Sequence, residues 1–291
     1  MPSLVGSILV LLSTKGRNKG NALAWTYSDQ DEWSQEYPTC GSDRRQSPIK
    51  FNTMEVYTKG YPRLVYANYK IPSTVTITNN GHSAEIQYPD DAAKPQISGG
   101  PLPNNTTYQF VNVHFHWGSN DSLGSEHVIN GQRYAAEVHA VHYNTRYGSL
   151  EEALNYGDGV AVLTTFYQAN AAQNLSGLQV VSDALPSIQE YESSTEIENF
   201  KLSGLFGGID SSNRNFYYSY LGSLTTPPCS EAVIWIISSR VIDVNPQQLA
   251  PFRLLLDEDD DPLVNNFRRL QRKNGRKIYL NRPRFEMSEG N

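Results

Sequence analysis

Three histidines of this chain have the residue type and the spacing that zinc chemistry requires. All six histidines lie between positions 82 and 142, and His114, His116 and His139 are spaced like the ligands of a three-histidine catalytic site. Histidine is the commonest metal ligand, and three neutral imidazoles leave the full charge of a zinc ion to act on a water in the fourth position. The spacing favours a metal site over the alternative, a set of ordinary core or surface histidines.

The first two of these histidines lie in a predicted strand, because the segment from Tyr108 to Trp117 alternates with a period of two residues. Alternate side chains of a strand share a face, so His114 and His116 are predicted to point into one space. The prediction places Tyr108, Phe110, Asn112, His114 and His116 on one face and Gln109, Val111, Val113, Phe115 and Trp117 on the other.

A second strand is predicted from Tyr134 to Tyr143, with Glu137, His139 and Val141 on one face. An antiparallel return, which would bring His139 beside the first pair, is allowed by the intervening glycines Gly118, Gly124 and Gly131. Glu137 is predicted to accept the free N–H of the His139 ring, because carboxylates recur behind metal-bound histidines.

The rest of the chain indicates one large β-rich domain without repeats or a flexible linker. Two runs that are apolar on both faces, Val160 to Phe166 and Ala232 to Ser238, are predicted to be central strands. Helical signal is confined to short stretches such as Ser149 to Asn155 and Asn245 to Leu255. A hydrophobic content of 38% can supply one substantial core.

The charge of the chain argues against nucleic acid as a partner, because its formal net charge is −6. The one marked run of like charges is acidic, from Asp257 to Asp261, and precedes Pro262. A solvated turn is the favoured interpretation of this run, and a cation-binding role is the alternative.

The first 24 residues are predicted to be a signal peptide, so that the domain comprises residues 25–291. Leu4 to Leu12 is a short apolar run, and Ala22-Leu23-Ala24 offers small residues for cleavage. The basic residues follow the apolar run, whereas a signal peptide normally has them in front. The run is too short to span a bilayer, and no apolar tail follows Arg284, so secretion without a membrane anchor is expected.

The cysteines and several asparagines fit a secreted protein. Cys40 and Cys229 can form one disulfide without leaving a free thiol, and two unrelated buried thiols are the alternative. The candidate glycan sites in N-x-Ser/Thr context are Asn104, Asn105, Asn120 and Asn174.

Longer motifs of the chain resemble the α-class carbonic anhydrases over nearly all of residues 25–285. In the family's order, they are Gln46-Ser47-Pro48-Ile49, Asn80-Gly81-His82, His114-Phe115-His116-Trp117-Gly118, Gly124-Ser125-Glu126-His127, the segment from Tyr134 to Asn144, and Ser223-Leu224-Thr225-Thr226-Pro227-Pro228. The resemblance implies a mainly β (α+β) single domain with a large, twisted, mostly antiparallel central sheet and short peripheral helices.

The resemblance also implies the reaction, which is the reversible hydration of carbon dioxide to bicarbonate and a proton. His114, His116 and His139 would hold Zn²⁺, and a zinc-bound hydroxide would attack carbon dioxide. Thr225 would donate its hydroxyl proton to Glu126 and thereby orient the nucleophile, and Thr226 would contact bicarbonate. Sulfonamide-type and anion inhibitors are expected to bind at the same place.

Further roles follow from the resemblance alone. An apolar wall for carbon dioxide would consist of Val141, Val162, Leu224, Val233 and Trp235. His82 would be the proton shuttle, although a histidine considered alone at this position is more readily explained as a surface-loop residue. The residues that would order water in the cavity are Tyr27, Asn80 and Glu85.

The resemblance also implies structural roles for several residues. His127 is expected to hydrogen-bond Glu137, and His142 to be structural because it lies on the strand face opposite His139. Cys40 and Cys229 match the cysteine pair of the family's secreted members. The chain departs from the family at Asn112, commonly glutamine, and at Glu85, commonly asparagine. Asn112 can still accept from His114, and the carboxylate adds negative charge.

Two other functions are compatible with parts of the sequence. One is that of a non-enzymatic relative, in which the fold serves as a binding module. The presence of all three ligands together with Glu126 and Thr225 favours the enzyme. The other is a role in carbonate mineral formation, which the acidic run at 257–261 suggests.

Overall fold

The computed structural model describes residues 25–42, 44–207 and 216–282, and these residues are rich in strands. The strands are β1 Lys50–Phe51, β2 Tyr57–Lys59, β3 Val65–Ala67, β4 Ser73–Asn79, β5 Ala84–Gln87, β6 Gln96–Ser98, β7 Thr107–Trp117, β8 Val128–Ile129, β9 Ala136–Asn144, β10 Val160–Ala169, β11 Ser194–Phe200, β12 Tyr217–Gly222, β13 Val233–Val244 and β14 Tyr279–Asn281. The α-helices are α1 Trp33–Glu36, α2 Leu150–Ala153, α3 Ser176–Ala184, α4 Leu202–Leu205 and α5 Pro246–Leu249. Short 3₁₀ turns cover Pro38–Gly41, Thr53–Glu55, Thr145–Tyr147, Leu185–Ser187 and Ala250–Leu254.

Twelve strands form one mixed sheet, in the order β11-β4-β5-β7-β9-β10-β13-β12-β14-β2, with β6 also paired with β7 and β3 paired with β6. Most neighbours are antiparallel, and the parallel pairs are β10 with β13 and β14 with β2. The remaining strands, β1 and β8, form a separate parallel pair. This architecture confirms the predicted mainly β domain with a large, mostly antiparallel sheet and short helices.

The sheet has an apolar cluster on each face. Ala161 and Leu163 of β10 belong to the larger cluster, whereas Val160 and Val162 of the same strand belong to a second one. Because successive side chains of a strand point to opposite faces, the two clusters lie on opposite sides of the sheet. Both predicted central strands, β10 and β13, are therefore buried from both sides, as their apolar sequences indicated.

One part of the strand prediction is wrong, and a β-bulge explains it. The pairing of β7 with β9 shifts by one residue between Phe110 and Asn112. Tyr108 and Phe110 consequently pack in the larger cluster with Val113, not on the face of the histidines. Val111 packs against the second cluster, so the alternation of faces restarts at Asn112.

The helices are short and lie around the sheet. The longest helix of the described residues is α3, with 9 residues, and the two predicted helical stretches contain α2 and α5. No helix in the described ranges is long and apolar enough to cross a membrane. The proposed signal peptide, residues 1–24, lies outside the described residues.

Candidate metal centre

The pairing of β7 with β9 brings the three predicted ligands together. His114 lies opposite His139, and His116 lies opposite Glu137. All four side chains are on the face of the second cluster and are buried, since each is at most 7% exposed. The antiparallel return predicted from the sequence is therefore confirmed, and it places two histidines of one strand beside one histidine of the next.

Each of the three histidines uses one ring nitrogen to hydrogen-bond a protein acceptor. The pairs are His114 Nδ1 with Asn112 Oδ1 at 3.1 Å, His116 Nδ1 with the main-chain oxygen of Asn266 at 2.7 Å, and His139 Nε2 with Glu137 Oε1 at 2.7 Å. An imidazole that donates from one nitrogen has a lone pair on the other. The second nitrogens are therefore acceptors, and a set of ligand atoms from these rings lies within 4.8 Å of one another.

This convergence of acceptors fits a cation. His116 Nε2 and His139 Nδ1 are 3.1 Å apart, and neither has a proton left to share. Glu126 Oε2 lies 3.5 Å from the first of these nitrogens and 4.0 Å from the second, is buried, and accepts no hydrogen bond from the described residues. Buried acceptors without donors are costly in free energy. A dication bound by these nitrogens would satisfy them, and three histidine ligands are the arrangement of a catalytic zinc site.

A second group of potential ligands, His127, Glu137 and His139, is explained by hydrogen bonds instead. Glu137 Oε1 lies 2.7 Å from His127 Nδ1 and 2.7 Å from His139 Nε2. Its Oε2 accepts the main-chain N–H groups of Glu126 and His127 at 2.8 Å. Burial alone would raise the pKa of Glu137, but the charge and hydrogen bond of His127, together with the bond from His139, hold this pKa well below its usual value.

His127 continues this hydrogen-bond chain away from the metal centre. Its Nε2 lies 2.7 Å from the hydroxyl of Tyr220, which in turn lies 2.9 Å from Ser47 Oγ. A neutral His127 ring that donates to Glu137 through Nδ1 accepts the proton of Tyr220 at Nε2. The chain holds Glu137, and through it the ring of His139, in one orientation.

Burial also keeps the ligands in the form that binds metal. It lowers the pKa of His114 well below the usual value, and the neighbouring His116 and His139 lower it further. Burial likewise lowers the pKa of His139, against the opposing effect of Glu137. Both imidazoles are therefore neutral at neutral pH, as metal coordination requires.

Glu126 is also held through its other carboxylate oxygen. Its Oε1 accepts the main-chain N–H of Arg268 at 2.8 Å. The guanidinium of Arg268 donates to Gln46 Oε1 and to the main-chain oxygens of Ser47 and Cys40. Burial lowers the pKa of Arg268 to about 10, so it stays charged beside the carboxylate at neutral pH.

A cavity opens beside the converging nitrogens, and much of its lining is apolar. The described residues that line it are Asn112, His114, His139, Val141, Leu150, Leu154, Val162, Leu224, Thr225, Thr226, Pro227 and Trp235. The set includes most of the predicted substrate wall and both predicted threonines. Val233 is not among them: it lies in the second cluster, paired with Val160, two residues before Trp235 on β13.

Three lining residues were missed in the sequence, namely Leu150, Leu154 and Pro227. Leu150 and Leu154 lie four residues apart at α2, so they share one side of the helix. A short helical stretch at this position was predicted, and its apolar pair is the signal that could have identified them.

His82 is outside the ligand group, and its imidazole stacks on the ring of Trp25. The ring centroids are 3.9 Å apart, with an interplanar angle of 13°. Burial lowers the pKa of His82 to about 4, although the charge of Asp29 acts in the opposite direction. Asn80 Oδ1 shapes the loop by accepting the main-chain N–H groups of His82 and Ser83. The rings of Tyr27 and Trp25 pack edge to face.

Glu85 is buried and adjoins the metal centre without lining the cavity. It lies opposite His114 in the pairing of β5 with β7. Its carboxylate accepts from the side-chain amides of Gln87 and Asn112. Burial raises the pKa of Glu85 to about 7, although the hydrogen bond from Gln87 lowers it.

Cys40 and Cys229 form the expected disulfide, across a sequence separation of 189 residues. The main-chain N–H of Cys229 donates to the main-chain oxygen of Thr226 at 2.9 Å. The disulfide therefore anchors the loop that presents Thr225 and Thr226 to the cavity.

The acidic run does not form a metal group in the structure. Asp257 Oδ1 accepts the main-chain N–H groups of Asp259 and Asp261, which closes the run into a turn. The only groups of three potential ligands within the described ranges are the two around His139.

Comparison with known proteins supports the same assignment. The profile of the eukaryotic-type carbonic anhydrases matches residues 28–282. Carbonic anhydrase 3 of Sus scrofa is 36% identical over 264 residues, which cover 88% of this chain and 97% of that protein. Carbonic anhydrase 3 of Bos taurus is 35% identical over 262 residues, with 88% and 97% covered. Together with the buried histidine triad, these matches show that the chain belongs to the eukaryotic-type carbonic anhydrase family.

Proposed function

We propose that this carbonic anhydrase family enzyme is a secreted protein that uses Thr225 and Glu126 for orientation and His82 for proton transfer in carbon dioxide hydration. The observation that carries the proposal is the convergence of three unprotonated ring nitrogens beside an apolar cavity. Zinc bound there supplies a Lewis acid that lowers the pKa of water towards neutrality, as in carbonic anhydrases generally.

The protein holds the ligands in place through their second nitrogens. Asn112, the main-chain oxygen of Asn266, and Glu137 each accept one ring N–H, so each imidazole has a single tautomer and direction. These acceptors keep the three remaining ring nitrogens within 4.8 Å of one another without a bound metal. Preorganisation of this kind is typical of zinc sites.

The apolar side of the cavity suits carbon dioxide, which is an apolar molecule without a hydrogen-bond donor. Val141, Val162, Leu224 and Trp235 contribute this side, and Leu150 and Leu154 extend it. Apolar side chains exclude ordered water from the space beside the metal, so a small apolar molecule can occupy it. Bicarbonate is polar and is expected to contact Thr226 instead.

Thr225 is proposed to donate its hydroxyl proton to Glu126 Oε2. Two observations support this role: Oε2 has no donor among the described residues, and Thr225 lines the cavity beside the ligands. A hydroxyl that donates to a carboxylate can only accept from its other neighbour. Thr225 would therefore orient a nucleophile that carries a proton and disfavour ligands without one. Sulfonamide-type inhibitors, and anions that still carry a proton, can donate the hydrogen bond that Thr225 would accept.

His82 is proposed to carry protons between the cavity and bulk water. The stacked imidazole, with a pKa of about 4, is a weak proton acceptor at neutral pH. We infer that it accepts a proton after rotating away from Trp25 towards the cavity. Tyr27 and Asn80, which lie next to it in space or sequence, are proposed to order the connecting waters. The buried Nδ2 of Asn80, which has no acceptor among the described residues, supports this.

Secretion is proposed to follow removal of residues 1–24, which leaves the domain 25–291. The disulfide supports this localisation, because such bonds persist in oxidising compartments. The four candidate glycan sites are exposed, as glycosylation requires, and they are Asn104, Asn105, Asn120 and Asn174. Expression in a eukaryotic cell line, with N-terminal sequencing of the protein in the medium, tests both proposals.

The decisive measurement is stopped-flow hydration of carbon dioxide by the mature protein, together with zinc analysis. We expect about one zinc per chain and hydration activity. His139→Ala should lose both, because two histidines bind zinc poorly. A zinc-loaded wild type without hydration activity would contradict the proposed function.

A further inference from the structure

Glu85 is a buried carboxylate that accepts a hydrogen bond from Asn112, the residue that in turn contacts the ring of the metal ligand His114. Its side chain is 2% exposed and lies between two side-chain amides. Oε2 accepts from Asn112 Nδ2 at 3.2 Å, and Oε1 accepts from Gln87 Nε2 at 2.5 Å. Asn112 Oδ1 in turn lies 3.1 Å from His114 Nδ1. The residues thus form a chain from Glu85 through Asn112 to His114.

The three ligand partners differ in one chemical respect. The partner of His116 is the main-chain carbonyl of Asn266, and the partner of His139 is the carboxylate of Glu137. Both groups can only accept. Asn112 carries an amide, which has an accepting end and a donating end that are almost equal in size. Of the three ligands, His114 is therefore the one whose partner can be turned the wrong way.

The carboxylate of Glu85 decides this orientation. In the observed orientation the NH₂ group of Asn112 faces the carboxylate and its oxygen faces His114. A reversed amide would place its oxygen against Glu85 Oε2, two acceptors together when the carboxyl group is ionised, and its NH₂ group against the His114 N–H. The reversed amide would favour the tautomer of His114 with a proton on Nε2, the nitrogen whose lone pair the metal needs here.

We propose that Glu85 is a positioning residue of the zinc site, which fixes the amide of Asn112 and through it the tautomer and ring direction of His114. The proposal rests on the proposed zinc enzyme and adds a residue that acts through another. It concerns the geometry of the acceptor and does not require Glu85 to titrate.

Zinc affinity of the purified protein, measured by competition with a chelator, tests the proposal. Glu85→Ala and Glu85→Leu both remove the acceptor, and leucine preserves most of the volume. Each should weaken zinc binding on the order of tenfold, the lower end of the loss caused by removing a partner of a metal-bound histidine. Glu85→Gln keeps one acceptor oxygen and should restore the affinity to within about twofold of wild type.

Two controls separate positioning from general packing. Gln87→Ala removes the other neighbour of Glu85 without affecting the acceptor for Asn112, and should leave zinc affinity unchanged. In the Asn112→Ala background, Glu85→Leu should cause no further loss, because the residue through which Glu85 acts is absent. Thermal unfolding of the zinc-free forms verifies that each variant is folded.

NMR of the ring protons gives a readout that packing alone would not move. The Nδ1–H signal of His114 should be present in zinc-free wild type and Glu85→Gln, and be lost or replaced by an Nε2–H signal in Glu85→Leu. An unchanged zinc affinity in Glu85→Leu, or an equal loss in both Asn112 backgrounds, would overturn the proposal. Either result leaves the proposed function intact, whereas wild type without zinc or without hydration activity would refute the function itself.

Discussion

The imidazole of His82 lies parallel to the indole of Trp25, with ring centroids 3.9 Å apart. The indole covers one face of the imidazole, and burial lowers the pKa of His82 to about 4. A proton carrier is most effective when its pKa is near the operating pH. The stack therefore holds His82 in a form that is unprotonated throughout the neutral range.

Replacing Trp25 should raise the pKa of His82. Trp25→Ala removes the stacked ring and exposes the imidazole, so the pKa should move from about 4 towards its ordinary value of 6.5. NMR titration of the His82 ring protons measures the midpoint, and His82→Ala identifies the signal. A midpoint that stays near 4 in Trp25→Ala would show that the indole is not the cause.

Removal of the His82 imidazole should slow turnover without affecting the metal. In dilute buffer, His82→Ala is expected to lower kcat by a factor on the order of 10, because general acid–base groups contribute at least that much. Its kcat/KM and zinc content should match those of wild type. Imidazole buffers should restore kcat, since they can carry the proton from solution. An unchanged kcat in dilute buffer would assign proton transfer to another group.

The hydroxyl of Thr225 should matter more than its shape. Thr225→Val keeps the volume but cannot donate to Glu126, so we expect kcat/KM to fall about a hundredfold, a loss typical of a misoriented reacting group. Thr225→Ser keeps the hydroxyl and should retain most of the activity. Stopped-flow hydration measures both variants, and zinc analysis should find the metal in each. Equal activity of the valine and serine variants would exclude the proposed orientation.

The sequence predicted the ligands well because the signal is local. A period of two residues assigns His114 and His116 to one face, and the glycines that follow allow the return that pairs His114 with His139. The bulge at Phe110 has no such signal, so the predicted face of Tyr108 and Phe110 was wrong. The prediction extended a regular alternation across a residue that the structure leaves out of the pairing.

Partners that act through main-chain atoms could not be predicted at all. The acceptor for His116 is the carbonyl of Asn266, and a donor to Glu126 is the N–H of Arg268. Nearly every residue offers these atoms, so the sequence does not distinguish them. The cavity residues Leu150 and Leu154 are an intermediate case, because their helix was predicted but its position beside the cavity was not.

His142 should make the zinc-free protein less stable in acid. This histidine lies on the face opposite His139, where its Nε2 is 2.7 Å from the hydroxyl of Tyr69. Burial lowers the pKa of His142 to about 3, against the opposing effect of main-chain hydrogen bonds. The unfolded chain takes up a proton at about pH 6.5, but the folded protein does not until the pH is much lower. The contribution of His142 to the free energy of unfolding is therefore unaffected above pH 6.5 and falls as the pH decreases from 6.5 towards 3.

His142→Gln isolates this effect, because glutamine can still accept from Tyr69 but does not titrate. Urea unfolding of the zinc-free proteins at several pH values between 4 and 6.5 gives the dependence on pH. The stability of wild type should fall more steeply than that of the variant, by about 1.4 kcal/mol per pH unit, the value for one proton. The other histidines whose pKa is lowered, His82, His114 and His139, are present in both proteins and cancel in the difference. Parallel curves for the two proteins would mean that His142 takes up its proton as readily in the folded state as in the unfolded chain.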